Sequence, residues 1–223
     1  MSSTATSPGP RAPRINGVQA TTRAELLADL DWQSVSVVDD LSGCDLAQLS
    51  ALGVRCTSTA FTGADLQQAR IIDAVFEGSD LSGARFDDGA LTRVEFRECR
   101  LSGAQFNASR ITDVRFVGCR LDGASFRMAR GERVWFEQCV LTEAEFTATQ
   151  LAGAQFERCD LTAADFSQAR IADASLIGSV VEGLRGVGGL QRPVIDATQV
   201  VPLAYSLMAL HGVGPKAVRI LKE

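Results

Sequence analysis

Four cysteines recur at intervals of twenty, Cys99, Cys119, Cys139 and Cys159, out of six in the chain. Thiols ligate metals, form disulfides and act as nucleophiles, so this column is the first place to look for chemistry. Its spacing argues against all three. A tetrahedral metal site needs ligands converging from several directions, whereas side chains stacked at a fixed repeat share one direction. Strand-on-strand stacking also misdirects the bonds a disulfide needs. The column reads as small buried hydrophobes. A second candidate is the basic column Arg70, Arg110, Arg130 and Arg170, which could meet phosphate. Its neighbour, Asp73, Arg93, Asp113, Arg133, Gly153 and Asp173, alternates in sign and predicts a solvated ion ladder instead of a phosphate track. Trp135 is a third, an outward aromatic with Val75 and Val117 on the same face. It is either a contact point for a partner or a cover for the gap at Gly131, where a core side chain is missing. His211 is the only histidine, and the sequence holds no phosphate loop, nucleophile elbow or metal-ligand cluster. No enzyme activity, metal or cofactor is expected.

The positions of these residues follow from a periodic scaffold. From Phe61 to Val181 every fifth residue is large and apolar, Gly131 excepted, and no insertion breaks the count. A period of five suits neither a helix nor a flat strand, so the architecture is a repeat. A period of twenty is superimposed on it. One column of central residues is aliphatic, from Leu81 to Leu161. The next is Phe86, Phe106, Phe126, Phe146 and Phe166, and the third is aliphatic apart from Gly131. The fourth is Phe76, Phe96, Phe116, Phe136 and Phe156. Small residues two places earlier sort the same way, as in Ala64, Ala84, Ala104, Ala124, Ala144 and Ala164. Such sorting follows if residues twenty apart stack, coil upon coil, in a four-sided solenoid. One large and one small inward residue per pentapeptide then tile a narrow core.

The pattern resembles the pentapeptide repeat family, with its motif A(D/N)LXX. It stands here as ADLQQ (64–68), ARFDD (84–88), AQFNA (104–108), AEFTA (144–148) and ADFSQ (164–168). The resemblance implies an all-β solenoid, a right-handed quadrilateral β-helix with four repeats per coil. The unbroken run is most similar to loopless bacterial members. About six regular coils at roughly 4.8 Å each make a rod core about 30 Å long.

The ends depart from the repeat. Residues 1–14, rich in Ser, Thr, Pro and Gly, have the composition of a disordered tail. Residues 15–60 read as an N-terminal cap and degenerate coils. Within them Thr22 and Glu25 form a capping box for a short helix over 22–30, and Trp32 to Val38 reads as a strand. Residues 61–181 are the regular repeat, and 182–223 a C-terminal helical cap. There Asp196 is a candidate N-cap, and Val200, Leu203, Leu207 and Leu210 make one apolar seam. Pro202 predicts a kink and Gly212 a stop. In the family a C-terminal helix of this kind pairs two rods, so Leu203, Leu207, Met208 and Leu210 are the candidate homodimer contacts. The stretch from His211 to Lys216 (HGVGPK) resembles the hairpin of helix-hairpin-helix DNA-binding modules, although a plain helix stop with a charged tail also accounts for it.

Net charge is −5 and the sequence pI about 5.0, too mildly acidic to suggest a nucleic-acid binder held by bulk charge. No apolar run reaches membrane-spanning length and no signal peptide is recognisable, so a soluble cytoplasmic protein is expected, with no membrane role. The resemblance implies a protein partner, DNA gyrase or topoisomerase IV, met by a rod that mimics DNA and confers resistance to an antibiotic or toxin. Between Phe61 and Val181 there are 18 Asp and Glu against 13 Arg. Acid gathers as Asp65, Asp87, Asp88, Glu145 and Asp165 on one face and as Glu77, Glu98, Glu137 and Glu157 on another. These, with Trp135, are the candidate partner contacts. The alternatives are an interaction scaffold with no topoisomerase role, or a weak DNA-binding adaptor acting through the hairpin-like tail.

Overall fold

The computed structural model describes residues 9–210, with side chains described to residue 208. The chain winds a parallel β-solenoid of about nine turns, followed by a helix. The long strands are β4 (Ser50–Thr57), β5 (Arg70–Glu77), β6 (Ala90–Arg97), β7 (Arg110–Val117) and β8 (Arg130–Glu137). Shorter ones flank them: β1 (Gln19–Ala20), β2 (Asp31–Gln33) and β3 (Val35–Val37) before, β9 (Gln150–Ala152), β10 (Gln155–Glu157), β11 (Ile171–Ala172) and β12 (Leu190–Gln191) after. Strands β4 to β8 pair in parallel with partners twenty residues apart, so that Ile71, Leu91, Ile111 and Gly131 form one stack.

Each long strand covers two sides of the square and bends between them. The bend falls on Asp73, Arg93, Asp113 and Arg133, all left-handed, with φ between 54° and 56°. The other two sides are turns that meet the next coil through single bridges, as in Arg85, Gln105, Ser125 and Glu145. Left-handed backbone costs a non-glycine residue about 1–2 kcal/mol. The solenoid accepts that at many corners because each corner N–H bonds to the coil above, as Met128 N does to Thr147 O at 2.9 Å.

The core confirms the column sorting. Both phenylalanine ladders are fully buried and stack face to face at 4.8–5.1 Å, for instance Phe106 on Phe126 and Phe116 on Phe136. The two ladders also meet across the middle. Phe126 stands edge-on to Phe116 and Phe136 at 6.1 and 5.6 Å, the favourable quadrupole arrangement. The cysteine column is buried, and each thiol donates to the phenylalanine carbonyl of the coil below, Cys119 to Phe96 O at 3.4 Å. At the ends of the column hydroxyls make the corresponding bond, Ser179 to Phe156 O and Thr59 to Val37 O.

At Gly131 the backbones of neighbouring coils run so close that an added Cβ would collide with the Ile111 carbonyl oxygen, so glycine is required there.

The terminal coils are shorter than the rest. Val37 pairs with Cys56 and Ile171 with Leu190, offsets of nineteen instead of twenty. At the start, helix α1 (Arg23–Ala28) carries the expected Thr22–Glu25 capping box and buries Leu26, whose carbonyl accepts from the Trp32 indole at 3.0 Å. The expected strand over 32–38 is two short ones, interrupted at left-handed Ser34. At the far end Gly186 and Gly189 make the shortened corner. A Cβ on Gly186 would collide with Ser167 N, and one on Gly189 with Phe166 O. Asp196 and Gln199 form a reciprocal capping box on the 3-10 turn that leads into α2 (Val200–Leu210). Pro202 produces no break: it lies in the first turn of α2, where a backbone N–H has no intrahelical partner in any case.

The expectation of a disordered tail is corrected for residues 9–14. They run extended along the rod, backwards from the level of Trp135 to that of Asp73, before β1 pairs with β3.

Candidate interaction site

Five of the nine acidic candidates are ion-paired. Asp65 lies 3.7 Å and Asp87 3.8 Å from Arg85. Glu145 is 3.8 Å from Arg127, and Asp165 is 3.7 Å from Arg185. Glu137 meets two arginines, Arg115 at 2.5 Å and Arg158 at 2.6 Å. The Arg115 guanidinium holds the Glu137 carboxyl below the usual range. Burial works against ionisation of Asp165, and bonds from Ser167 outweigh it, so its pKa is also lowered. Asp88, Glu77, Glu98 and Glu157 make no ion pair among the described residues. The coat is therefore acidic in patches and neutralised in between.

The corner column of alternating sign is solvated as expected only at Asp173, which pairs with exposed Arg192. Beneath the arm it resolves into shielded pairs: Arg93 is bidentate to Asp73 at 2.6 and 2.7 Å, and Arg133 to Asp113 at 2.5 and 3.2 Å. The Asp73 and Asp113 side chains are only 8% and 3% exposed because the N-terminal arm lies over them. Arg11 N donates to Asp113 Oδ1 at 3.1 Å and Arg14 N to Asp73 Oδ1 at 2.9 Å. Arg93, the largest influence, lowers the Asp73 pKa. For Asp113 burial is the largest influence and opposes ionisation, yet Arg133 and the Arg11 N–H prevail and lower it. The arm also covers the adjoining column. Val75 and Glu95 are buried there, and Gly9 packs on the Trp135 ring. Trp135 is thus half-buried, with Gly9 of the arm against its ring.

Arg70, Arg110, Arg130 and Arg170 are exposed. Because the corner aspartates pair within their own column, these four keep no carboxylate partner among the described residues. Arg110 and Arg130, neighbours in register, line a shallow depression with Asp88 and Met128.

The apolar seam of α2 is split. Leu203 turns inward and is buried against the last coil, which removes it from the dimer candidates. Leu207 is exposed with Val200, Val201 and Tyr205, and Met208 is half-buried. Leu184, Val201, Pro202 and Tyr205 line an apolar recess between α2 and the last coil. The Leu210 side chain and the whole of His211 to Glu223, hence the HGVGPK motif and Gly212, lie outside the described residues.

No cluster of three or more His, Cys, Asp or Glu among the described residues could hold a metal ion. No helix among them is long and apolar enough to cross a membrane. What the geometry offers is a rigid rod whose side chains are presented in fixed outward columns, a scaffold of the parallel β-solenoid class. A family model described as the pentapeptide repeat region matches residues 53–126 and 89–166, and the chain belongs to that family. No curated protein matches the sequence significantly. Among solved structures, QnrB1, a plasmid-mediated fluoroquinolone resistance protein, is similar at 21% identity over 77% of this chain and 99% of that one, with a TM-score of 0.48. HetL, a pentapeptide repeat protein involved in heterocyst differentiation regulation in the cyanobacterium Nostoc sp. strain PCC 7120, is similar at 19% identity over 70% and 84%, with a TM-score of 0.38.

The arm is what sequence reasoning missed. Its signal was there: Pro10 and Pro13 three residues apart, and Asp73 and Asp113 two coils apart at one corner.

Proposed function

We propose that this chain acts without catalysis, by binding a protein partner along its rod. The observation that carries this is rigidity: a fully buried double phenylalanine ladder fixes every outward column before any partner arrives. A preformed surface loses little conformational entropy on docking. The specific partner implied by the family resemblance is DNA gyrase or topoisomerase IV, with protection from a quinolone or toxin as the consequence. Asp88, Glu77, Glu98 and Glu157 are the carboxylates available to such a partner.

A gyrase supercoiling assay tests this, with and without a quinolone. The expected outcome is inhibition or protection that weakens when Glu77, Glu98 and Glu157 are changed to Gln. Absence of both effects at large molar excess would falsify the topoisomerase reading. The second reading, a scaffold for another partner, is favoured by the arginines that neutralise Asp65, Asp87, Glu137, Glu145 and Asp165. Duplex DNA carries unneutralised charge at about 1.7 Å intervals, far denser than this coat. Direct nucleic-acid binding is not part of either reading.

We further infer that two copies pair through α2, since Val200, Val201, Tyr205 and Leu207 form an exposed apolar surface on it. Light scattering on Leu207→Asp should show a monomer. A variant that remains dimeric places the contact elsewhere.

A further inference from the structure

The way the arm is held identifies what else its groove can hold. Residues 9–14 belong to no strand ladder, and two backbone N–H groups make the attachment. The same subsite is built twice. In each, an arginine from the coil above grips the aspartate with both nitrogens, and the arm N–H lands on Oδ1 of that carboxylate, Arg11 on Asp113 and Arg14 on Asp73. The arginines hold the acceptors at a fixed position and depth.

The spacing is the decisive feature. The two donors are three residues apart, and each follows a proline, Pro10 or Pro13. Proline fixes φ near −65° and drives the preceding residue to extended backbone, so P-R-A-P-R is preset as polyproline II. One turn of that helix is three residues and rises about 9.3 Å. The acceptors are two coils apart, because Arg93 stands between them, and two coils rise about 9.6 Å. Rod and peptide therefore share a period.

The exposure pattern shows what is read. Arg11, Ala12 and Arg14 are exposed, while Pro10 and Pro13 are half-buried. The groove senses proline rings and the N–H that follows each, not the arginine charges. Beyond Asp113 it continues to Trp135, where Gly9 sits so close that a Cβ would be 2.9 Å from the ring. The indole N–H is buried and has no acceptor among the described residues. An aromatic ring with a spare donor at the end of a groove that half-buries two prolines matches the aromatic-lined grooves that take polyproline II segments.

We propose that the groove formed by Asp73, Asp113 and Trp135 docks a polyproline II segment of a partner protein carrying two prolines three residues apart. The chain's own arm is the resident competitor. The groove adjoins the column of Glu137 through Arg115 but uses none of the acidic candidates as an acceptor, so this site stands whether or not the partner is a topoisomerase.

The test uses the full chain with Pro10→Gly and Pro13→Gly, which loosens the arm by restoring its backbone freedom. The probe is a fluorescein-labelled synthetic peptide of residues 9–15, GPRAPRI, followed by fluorescence anisotropy. The loosened variant should bind it about ten-fold more tightly than the unmodified chain, about 1.4 kcal/mol. One alanine inserted between the peptide's Ala12 and Pro13 should abolish that gain, because it breaks the shared period. Adding Asp113→Ala to the loosened variant should have a similar effect, and the inserted peptide keeps the test valid if that variant fails to fold. Equal binding of the two peptides overturns the proposal, as does no binding by the loosened variant. If mixing loosened and unmodified chains instead produces a dimer that excludes the peptide, the groove serves a second copy's arm and the proposal fails.

Discussion

Inside the rod, residue types repeat at every coil; along the corner beneath the arm, they repeat at every second coil. The interior columns meet the same surroundings each time round, so Phe follows Phe and Ala follows Ala. The corner column stacks charge on charge about 4.8 Å apart, where like signs repel and alternation is favoured. Asp73, Arg93, Asp113 and Arg133 obey that rule, and the doubled period is what brings the rod into step with a polyproline II turn. Packing alone sets the inner repeat, and electrostatics sets the outer one.

The interior should fail hardest. Phe126→Ala removes a ring stacked on two neighbours and edge-on to two more, and should lower unfolding free energy by about 3–5 kcal/mol in urea. A loss under 1 kcal/mol would mean the ladder relaxes around the hole. Gly131→Ala comes next. Its Cβ would meet backbone, not a movable side chain, and the expected loss is about 2–3 kcal/mol with local distortion of β7 and β8. Should it melt like the unmodified chain, the close approach of the Ile111 backbone to Gly131 is wrong.

The corner responds to acid. Asp73 and Asp113 have lowered pKa values in the folded chain, so the stability they contribute is present above the unfolded carboxylate value near 3.9. It is lost as pH falls through the lower folded value. The other charged groups facing the arm are Arg93, Arg133, Glu95 and Arg115. Trp135 should remain shielded from acrylamide down to about pH 4 and become quenchable below it, before the phenylalanine core melts. Quenching that is already complete at neutral pH means the arm is not seated. The smallest effect is expected at an exposed left-handed corner. Met128→Gly removes a Cβ penalty at φ 57° while adding freedom to the unfolded chain, for a net gain of about 0.5 kcal/mol. A lowered Tm would show that the Met128 side chain packs more than its exposure suggests.

The solenoid was legible because its inward residues carry a signal that only stacking explains. Both phenylalanine columns and the alanine column could be assigned to faces from spacing alone, and all are buried. The outward surface was legible only as columns, since which charges pair depends on corner geometry. Arg85 turns to Asp65 and Asp87, whereas Arg93 turns to Asp73, and no periodicity distinguishes them. The arm escaped because Pro, Gly and Ser composition is shared by disordered tails and by chains preset to lie in a groove. The seam of α2 was misassigned in part because helical spacing cannot tell which of Leu203 and Leu207 meets the coil beneath.

The nineteen-residue coils at the two ends have a consequence for how long the rod can become. A stack of identical coils leaves open backbone at each end, and a second molecule could add there, then a third, as in a fibril. Here the terminal turns have a different perimeter from the middle ones, α1 lies across one end, and Gln199 and Leu203 close the other. The sides offset by nineteen are out of step with a regular twenty-residue coil. The same irregularity that blurs the sequence pattern at its margins works against the addition of further coils at the ends of the described rod.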